Sequence, residues 1–442
     1  MLREKRCFSK STICFTLNIS MKYAVITFGC RVNQADSIAI ERELRAMGAE
    51  SVDPKNAELV VVNTCSVTSS ADQGARQVIR KIARSNPKAR IVATGCYATR
   101  ASEDLKALPN VVQVVSNTDK YDFLTTLNIN QELTTSERFG EGDGPCGETI
   151  RPGTTGRTGY TLRVQTGCDE VCAYCVIPST RGVGKSVPLA QVLDELDEVA
   201  TAGFNEVTVT GVHLGSYGRD LKPQSSLLDV LRLLDRHRST LSFRISSLEP
   251  MDCSAEVLDL VVRSGRFAPH FHLPLQHASD AMLTAMRRPY TSDYYRRLVT
   301  TIRERLPHAG IGSDIIVGFP GETDADAEKN LAYLNESPLT YLHVFPYSDR
   351  PGTTATSLPG KVPGPSVRQR GSEVRMVGAR LSKKFRRSQV GTVRPGLTIS
   401  NGKIVLTDNY LKIQVQSGYA ENQRVKVLLT NADEALMVGR II

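Results

Sequence analysis

With 442 residues the chain is too long for one ordinary hydrophobic core, and length alone predicts two or three domains. Hydrophobic residues at 40% and charged residues at 23% are those of a soluble globular protein, and no apolar run reaches the roughly 18–20 residues of a membrane-spanning helix, so no membrane partner is expected. Lys and Arg outnumber Asp and Glu by 55 to 46, a net +9 whose distribution along the chain says more than its size.

Residues 1–20, MLREKRCFSKSTICFTLNIS, are basic, serine-bearing and poor in acids, in the manner of a targeting leader. Their apolar stretch is short and no small-residue cleavage site follows. The favoured reading makes Met21 the true start, directly before strand-like KYAVITFGC, and the location cytoplasmic. Over residues 21–133, strand-like KYAVITFG, ELVVVNT, ARIVATG and NVVQVVS alternate with helical QADSIAIERELRAMG and SADQGARQVIRKIARSN. That alternation predicts an α/β domain with a doubly wound parallel sheet. A Gly/Pro/Thr-rich connector occupies residues 134–159.

Residues 160–385 contain six further expected strands: YTLRVQTG, EVTVTGVHL, SFRISSL, HFHLPLQ, GSDIIVGFP and YLHVFPYS. One intervening helix has Pro188 at its start and Gly203 at its stop, and another opens on Thr323 as a cap. Six βα units in a row predict a partial (β/α)6 barrel with its chemistry in loops at the strand carboxyl ends. The basic stretch between Arg368 and Arg394 reads equally as a solvated helix face or as an RNA contact. Residues 386–442 read as a small C-terminal β-barrel built from GKIVLT, YLKIQVQ, RVKVLLT and ALMVGRII.

Ten cysteines in a large chain with no clear secretory signal argue for chemistry rather than a disulfide framework. Cys7 and Cys14 lie in the leader, Cys146 in the connector and Cys253 at a helix entry, which leaves two groups of three. QTGCDEVCAYCVIPS places Cys168, Cys172 and Cys175 within eight residues, directly after the first barrel strand. Thiolates suit zinc or iron–sulfur sites, but a structural zinc site wants a fourth ligand nearby and none follows in this loop. Three thiolates on a four-iron cluster leave one iron open to the amino and carboxylate groups of S-adenosylmethionine, whose sulfonium can then receive an electron. Cys30, Cys65 and Cys96 each follow a strand, so a parallel sheet brings them to one edge, where ligand sites collect. Gly29 and Gly95 beside them let the backbone turn tightly. The alternative is three buried core cysteines.

The Cys-x-x-x-Cys-x-x-Cys spacing, with aromatic Tyr174 before the third cysteine, resembles the signature of the radical S-adenosylmethionine superfamily. With GCRVNQ, NTCSVT, TGCYA, DIIVGFPGET and FPYSDRPGT added, the chain from Met21 onward resembles the methylthiotransferases of that class. It looks closest to the branch acting on threonylcarbamoyladenosine in tRNA. The resemblance implies a radical-generating [4Fe-4S] cluster on Cys168, Cys172 and Cys175, and a sulfur-donating [4Fe-4S] cluster on Cys30, Cys65 and Cys96. It implies S-adenosylmethionine used twice, once to methylate sulfur and once as the source of a 5′-deoxyadenosyl radical that removes hydrogen from an unactivated C–H bond. It further implies tRNA as partner, modified at carbon-2 of the adenosine at position 37, an electron donor, and an RNA-binding C-terminal barrel of the TRAM type. No catalytic residue beyond the cluster ligands is expected. Isopentenyladenosine in tRNA and an aspartate of a ribosomal protein are competing substrates. A non-catalytic iron–sulfur RNA-binding redox protein is the competing class, and the oligomeric state is open.

Tyr174 is the candidate neighbour of the cofactor's adenine. Gly211, Ser247, Gln276 and Gly318 follow strands and are candidates to line the cofactor pocket, with barrel packing as the alternative. Asp314 and Glu322 reach cofactor hydroxyls or cap helices. Arg31 and Arg219 offer guanidinium groups for the threonylcarbamoyl carboxylate, with surface or tRNA-phosphate roles as the alternative. Phe385, Tyr410 and Tyr419 stack on RNA or fill the barrel core. Two departures from the family pattern stand out: His277–Ser279 reads HAS where members show Ser-Gly-Ser, and Lys185 stands for a commoner arginine.

Overall fold

The computed structural model describes residues 21–127, 151–153, 158–416, 418–432 and 436–442. The leader with Cys7 and Cys14, and most of the connector with Cys146, lie outside the described residues.

The N-terminal unit is one parallel sheet in the order Glu50–Ser51, Lys22–Thr27, Leu59–Thr64, Arg90–Gly95, Val111–Val115. Leu59–Thr64 is buried at every position, as a strand covered on both faces must be. Side chains alternate across a strand, and the two covering helices use that alternation. Ile40 and Leu44 of helix Arg31–Ala46 cluster with Val61, whereas Ile79 and Ile82 of helix Ser69–Ser85 cluster with Val60 and Val62. The Thr68 hydroxyl caps the second helix by accepting from the Ala71 amide at 3.2 Å.

Helix Arg31–Ala46 also buries Glu41, one of whose carboxylate oxygens has no hydrogen-bond partner among the described residues. Burial pushes its carboxyl from 4.5 up to about 7, against the opposing pull of Arg45. A raised carboxyl pKa stabilises the fold below the unfolded value, and that contribution is lost as pH rises through the folded value. The melting temperature is therefore expected to fall between about pH 5 and pH 8 more steeply in the wild type than in Glu41→Gln. Thermal melts of the two proteins across that interval check this, and equal slopes would contradict it.

The middle unit has six parallel strands in two hydrogen-bonded sheets, Tyr160–Arg163, Glu206–Thr210 and Ser242–Ile245, then His270–His272, Gly310–Val317 and Tyr341–Pro346. Parallel bridges from Phe243 to Phe267 and from Ser247 to His272 join the two sheets, so the strands run in chain order around a partial barrel. Both the strand count and the architecture agree with the sequence expectation. Helices pack outside, two of them opened by reciprocal capping boxes, Ser226 with Asp229 and Thr323 with Asp326. Thr323 caps as expected, and Gly203, at φ +85°, follows the end of helix Leu189–Thr201. The long helix Gly364–Ser388 adds Val374, Val377 and Leu381 to the barrel core.

Five strands close the C-terminal barrel in the order Val393–Ile399, Ile404–Thr407, Lys412–Gln414, Met437–Ile441, Arg424–Asn431. The sequence reading found four of them and missed Val393–Ile399, because Pro395 and Gly396 interrupt its pattern. Pro395 pairs with Lys426, and a Cβ on Gly396 would lie 2.5 Å from Val405 Cγ1. Phe385 is buried, with the Arg303 guanidinium 5.6 Å from its ring centroid, so it packs rather than presenting a stacking face.

Candidate functional site

The loop bearing Cys168, Cys172 and Cys175 leaves strand Gln165–Thr166 at Gly167, whose φ of +70° and contact with Val183 exclude a side chain. The loop is pinned at Ala173, whose amide donates to the Met286 carbonyl (3.1 Å) and whose carbonyl accepts from the Ala355 amide (2.8 Å). Burial pushes the Cys172 thiol up against the pull of Arg288, and burial pushes Cys175 up to about 12, with Cys172 and Cys168 adding to the rise. Three free thiols this close, and soft, are a donor set that fits one iron–sulfur cluster once a metal displaces their protons.

Cys30 sits at the N-cap of helix Arg31–Ala46, Cys65 follows strand Leu59–Thr64, and Cys96 follows strand Arg90–Gly95. These strands are neighbours in one parallel sheet, so their carboxyl ends converge as the topology predicts. A Cβ on Gly29 would lie 2.6 Å from Cys65 Sγ, and one on Gly95 would lie 2.2 Å from the Thr64 carbonyl oxygen. Both glycines have positive φ and are required at these turns. Burial pushes Cys65 up to about 12, with Cys30 and Cys96 adding to the rise, and the three thiols at this sheet edge are a soft donor set suited to iron–sulfur ligation.

A cavity of about 400 Å³ runs through the middle barrel. Cys30 and Arg31 line it from the N-terminal unit, Gly211 and Ser247 from strand ends, His343 from the last strand and Tyr410 from the C-terminal barrel. The structure thus brings Arg31, Gly211 and Ser247 together with Cys30, one member of a cysteine triad. Arg219 is exposed and lies outside the lining. Tyr174, inside the cysteine loop, packs half-buried against the cluster that contains Ala173, Met286 and Phe319. Gln276 is buried with φ +69° and bridges the Asp314 carbonyl and the Ile316 amide. A Cβ on Gly318 would lie 2.4 Å from Val367 Cγ2, and its amide donates to the Glu322 carboxylate. Glu322 also meets His277 (3.2 Å) and Arg370 (3.1 Å), so the histidine at the HAS departure is buried against an acid. Lys185 is exposed.

Asp314 is a strand residue, not a helix cap. It lies opposite His343 in the pairing and accepts from His272 Nε2 (3.0 Å) and His343 Nδ1 (3.2 Å). These three donor atoms lie within 4.8 Å of one another, near enough to share a cation. Hydrogen bonding also accounts for their convergence. His270 is buried and held neutral by desolvation and by Arg244, and its Nδ1 has no partner among the described residues. The least costly tautomer puts the proton on Nε2, which donates to Tyr341 Oη (2.8 Å); that hydroxyl donates to His272 Nδ1 (3.2 Å), leaving His272 Nε2–H for Asp314. Gly312 makes room for this relay, since a Cβ there would lie 1.9 Å from the Tyr341 ring.

Sequence reasoning missed the charged groups around the two triads. Arg288 donates to Cys172 Sγ (3.1 Å) and pairs with Glu249. Buried His213 hydrogen-bonds Asp252 (2.8 Å) beside Cys168; burial alone would lower its pKa, yet Asp252 and Cys168 lift it to about 10. Gly215 leaves the space that Asp252 fills. Arg181 lies beside Cys30 and Cys96 and binds Asp36 (2.9 Å), which also holds Lys120 (3.0 Å) and Arg163. The only sequence signals for these were the STRG that follows the cysteine loop and the histidine in GVHLGSYG.

Comparison with known proteins agrees with this geometry. Residues 22–117 match the uncharacterized protein family UPF0004, and residues 162–334 match the radical SAM superfamily. The chain is 36% identical to the threonylcarbamoyladenosine tRNA methylthiotransferase MtaB of Aquifex aeolicus, over 92% of this chain and 100% of that protein. It is 31% identical to the protein of the same name from Bacillus subtilis, over 88% of each. It is 30% identical to the tRNA-2-methylthio-N(6)-dimethylallyladenosine synthase of Syntrophotalea carbinolica, over 84% of this chain and 86% of that one. Among solved structures, the radical S-adenosylmethionine methyltransferase TsrM of Kitasatospora setae, with cobalamin and a [4Fe-4S] cluster bound, shares the fold at a TM-score of 0.52 and 17% identity, over 76% and 77% of the two chains.

Proposed function

Because the chain belongs to the radical S-adenosylmethionine methylthiotransferases, transferases that use S-adenosylmethionine and two [4Fe-4S] clusters, we propose that it inserts a methylthio group at carbon-2 of N6-threonylcarbamoyladenosine at position 37 of tRNA. The cofactors, when bound, supply the one-electron bond cleavage, the hydrogen abstraction and the sulfur. Cys168, Cys172 and Cys175 would hold the radical-generating cluster, and Cys30, Cys65 and Cys96 would hold the sulfur-donating one. Arg288 at the first triad and Arg181 at the second favour ionised thiols, because a cation beside a thiolate lowers its energy. Gly211 and Ser247 line the cavity that the cofactor and the substrate adenosine would enter. Tyr174 would meet the cofactor's adenine, while Gln276 and Gly318 would support the pocket from behind.

One observation carries the choice of substrate. Arg31 lines the cavity half-buried, with long contacts to Thr208 Oγ1 (3.4 Å) and Tyr410 Oη (3.3 Å) and no carboxylate partner among the described residues. A guanidinium in such a place suits an anionic substituent, and the threonylcarbamoyl group bears a carboxylate. An isopentenyl tail would leave the same cation desolvated and unpaired. Exposed Arg219 supports a tRNA-phosphate role instead.

Relatives named for dimethylallyladenosine at 30–33% identity supply the second reading. Mass spectrometry of tRNA nucleosides from a deletion strain separates the two. The 2-methylthio-N6-threonylcarbamoyladenosine species should vanish while its unthiolated precursor accumulates. Loss of the methylthio-isopentenyl nucleoside, or of a ribosomal-protein modification with tRNA untouched, would overturn the proposal.

A further inference from the structure

The turn between strands Ile404–Thr407 and Lys412–Gln414 reaches out of the C-terminal barrel to the amino ends of the middle barrel's strands. Buried Arg244 of strand Ser242–Ile245 donates to the Asp408 carbonyl (2.9 Å) and the Thr407 carbonyl (3.2 Å). Asn409 is buried and donates to the His308 carbonyl (3.0 Å), and its own carbonyl oxygen lies 2.5 Å from where a Cβ on Gly310 would stand. The turn is thus locked to the middle barrel by groups that a simple hairpin does not need.

What this locking presents is Tyr410. Its φ is +73°, a conformation costly for a residue with a Cβ and usual for Gly or Asn. Its ring stacks on His270 (centroids 4.3 Å apart, planes at 25°) with the Arg244 guanidinium 5.2 Å from the ring centroid. Its hydroxyl accepts from Arg31 of the N-terminal unit at 3.3 Å. The residue is nevertheless 37% exposed, and it lines the cavity. Packing alone would have buried the ring or placed a small residue at this φ. All three units of the protein meet at this one side chain.

From this geometry we infer that Tyr410 is a positioning residue. It closes the cavity at the amino ends of the barrel strands, and its hydroxyl orients Arg31, so the C-terminal barrel sets where a substrate nucleoside stops. That barrel is therefore part of the reaction chamber as well as a surface for RNA. Deleting it would open the chamber and weaken RNA binding together, so deletion cannot measure RNA binding alone. The inference rests on the methylthiotransferase reading, though not on which nucleoside is modified.

The test compares wild type, Tyr410→Phe and Tyr410→Ala, each with its iron content and melting temperature measured. The readout is methylthio-nucleoside formed per 5′-deoxyadenosine released, at saturating tRNA. In Tyr410→Ala that ratio should fall about tenfold or more, because a misplaced C–H bond leaves the radical to be quenched unproductively. Tyr410→Phe keeps the stacking ring and the packing and loses only the bond from Arg31. It should retain most of the ratio and raise the KM for tRNA. An unchanged ratio in both variants would overturn the inference. If Tyr410→Ala does not fold, Tyr410→Phe decides alone: wild-type KM and ratio would refute the role. A wild-type protein that releases 5′-deoxyadenosine yet modifies no tRNA would refute the methylthiotransferase reading instead.

Discussion

Replacing Cys168, Cys172 and Cys175 together by Ala is expected to leave about half of the iron and to abolish release of 5′-deoxyadenosine from S-adenosylmethionine. Anaerobically reconstituted wild type should carry about eight irons per chain, in two four-iron clusters. The halves should be separable because the two triads are built on different elements. One lies in a loop fastened at Ala173 to Met286 and Ala355, the other at the edge of the N-terminal sheet, where Gly29 and Gly95 make the turns. Among the described residues the loop thiols bond to Ile177 and Arg288, not to the sheet edge. The reciprocal variant, Cys30, Cys65 and Cys96 to Ala, should also lose half the iron but continue to release 5′-deoxyadenosine, and no methylthio product should form. Iron analysis, colour and nucleoside chromatography read all three quantities. Full iron in the first variant, or a colourless zinc-bearing wild type, would remove the assignment of that loop as the radical-generating site.

The two triads were legible in the sequence because each thiol directly follows a strand or lies in one short loop, so local pattern and parallel topology sufficed. The six barrel strands were legible for a similar reason: each is an apolar run bounded by turn residues. What escaped was tertiary. Val393–Ile399 carries Pro395 and Gly396, residues that argue against a strand until its barrel neighbours are known. Arg31 and Arg219 offer the same side chain in loops of similar character, and only the packing puts one in the cavity and the other at the surface. Tyr410 sits in a segment that reads as part of a separate RNA-binding barrel. Its place in the chamber depends on Arg244, which is 164 residues away from Asp408 along the chain. The same limit applies most strongly to Asp36, which reads as an ordinary polar position in an amphipathic helix.

Asp36→Asn is expected to destabilise the protein by about 3–5 kcal/mol and to lower its melting temperature by about 10 °C. Asp36 lies on helix Arg31–Ala46 and is buried, yet it accepts from three cations: Lys120 of its own unit, Arg163 at the end of the first barrel strand, and Arg181 after the cysteine loop. Burial by itself would raise its carboxyl pKa; Lys120, Arg181 and Arg163 together hold it well below the usual carboxylate range. The carboxylate is therefore ionised at any working pH, and its stabilisation would be lost only in strong acid, as pH falls through the folded value. The amide keeps the shape and some hydrogen bonds but removes the negative charge. Lys120 and Arg181 are then buried with no full counter-charge, a situation far costlier than losing a surface pair. The effect should extend to the chemistry, because Arg181 also hydrogen-bonds the Asn33 side chain and stands beside Cys30 and Cys96. Asp36→Asn should consequently hold less iron at the N-terminal triad while the Cys168–Cys175 loop, fastened elsewhere, keeps its share. Calorimetry and iron analysis of the reconstituted variant test both parts. An unchanged melting temperature would mean that the three cations find other partners, and Asp36 would not be the tie between the N-terminal sheet and the barrel.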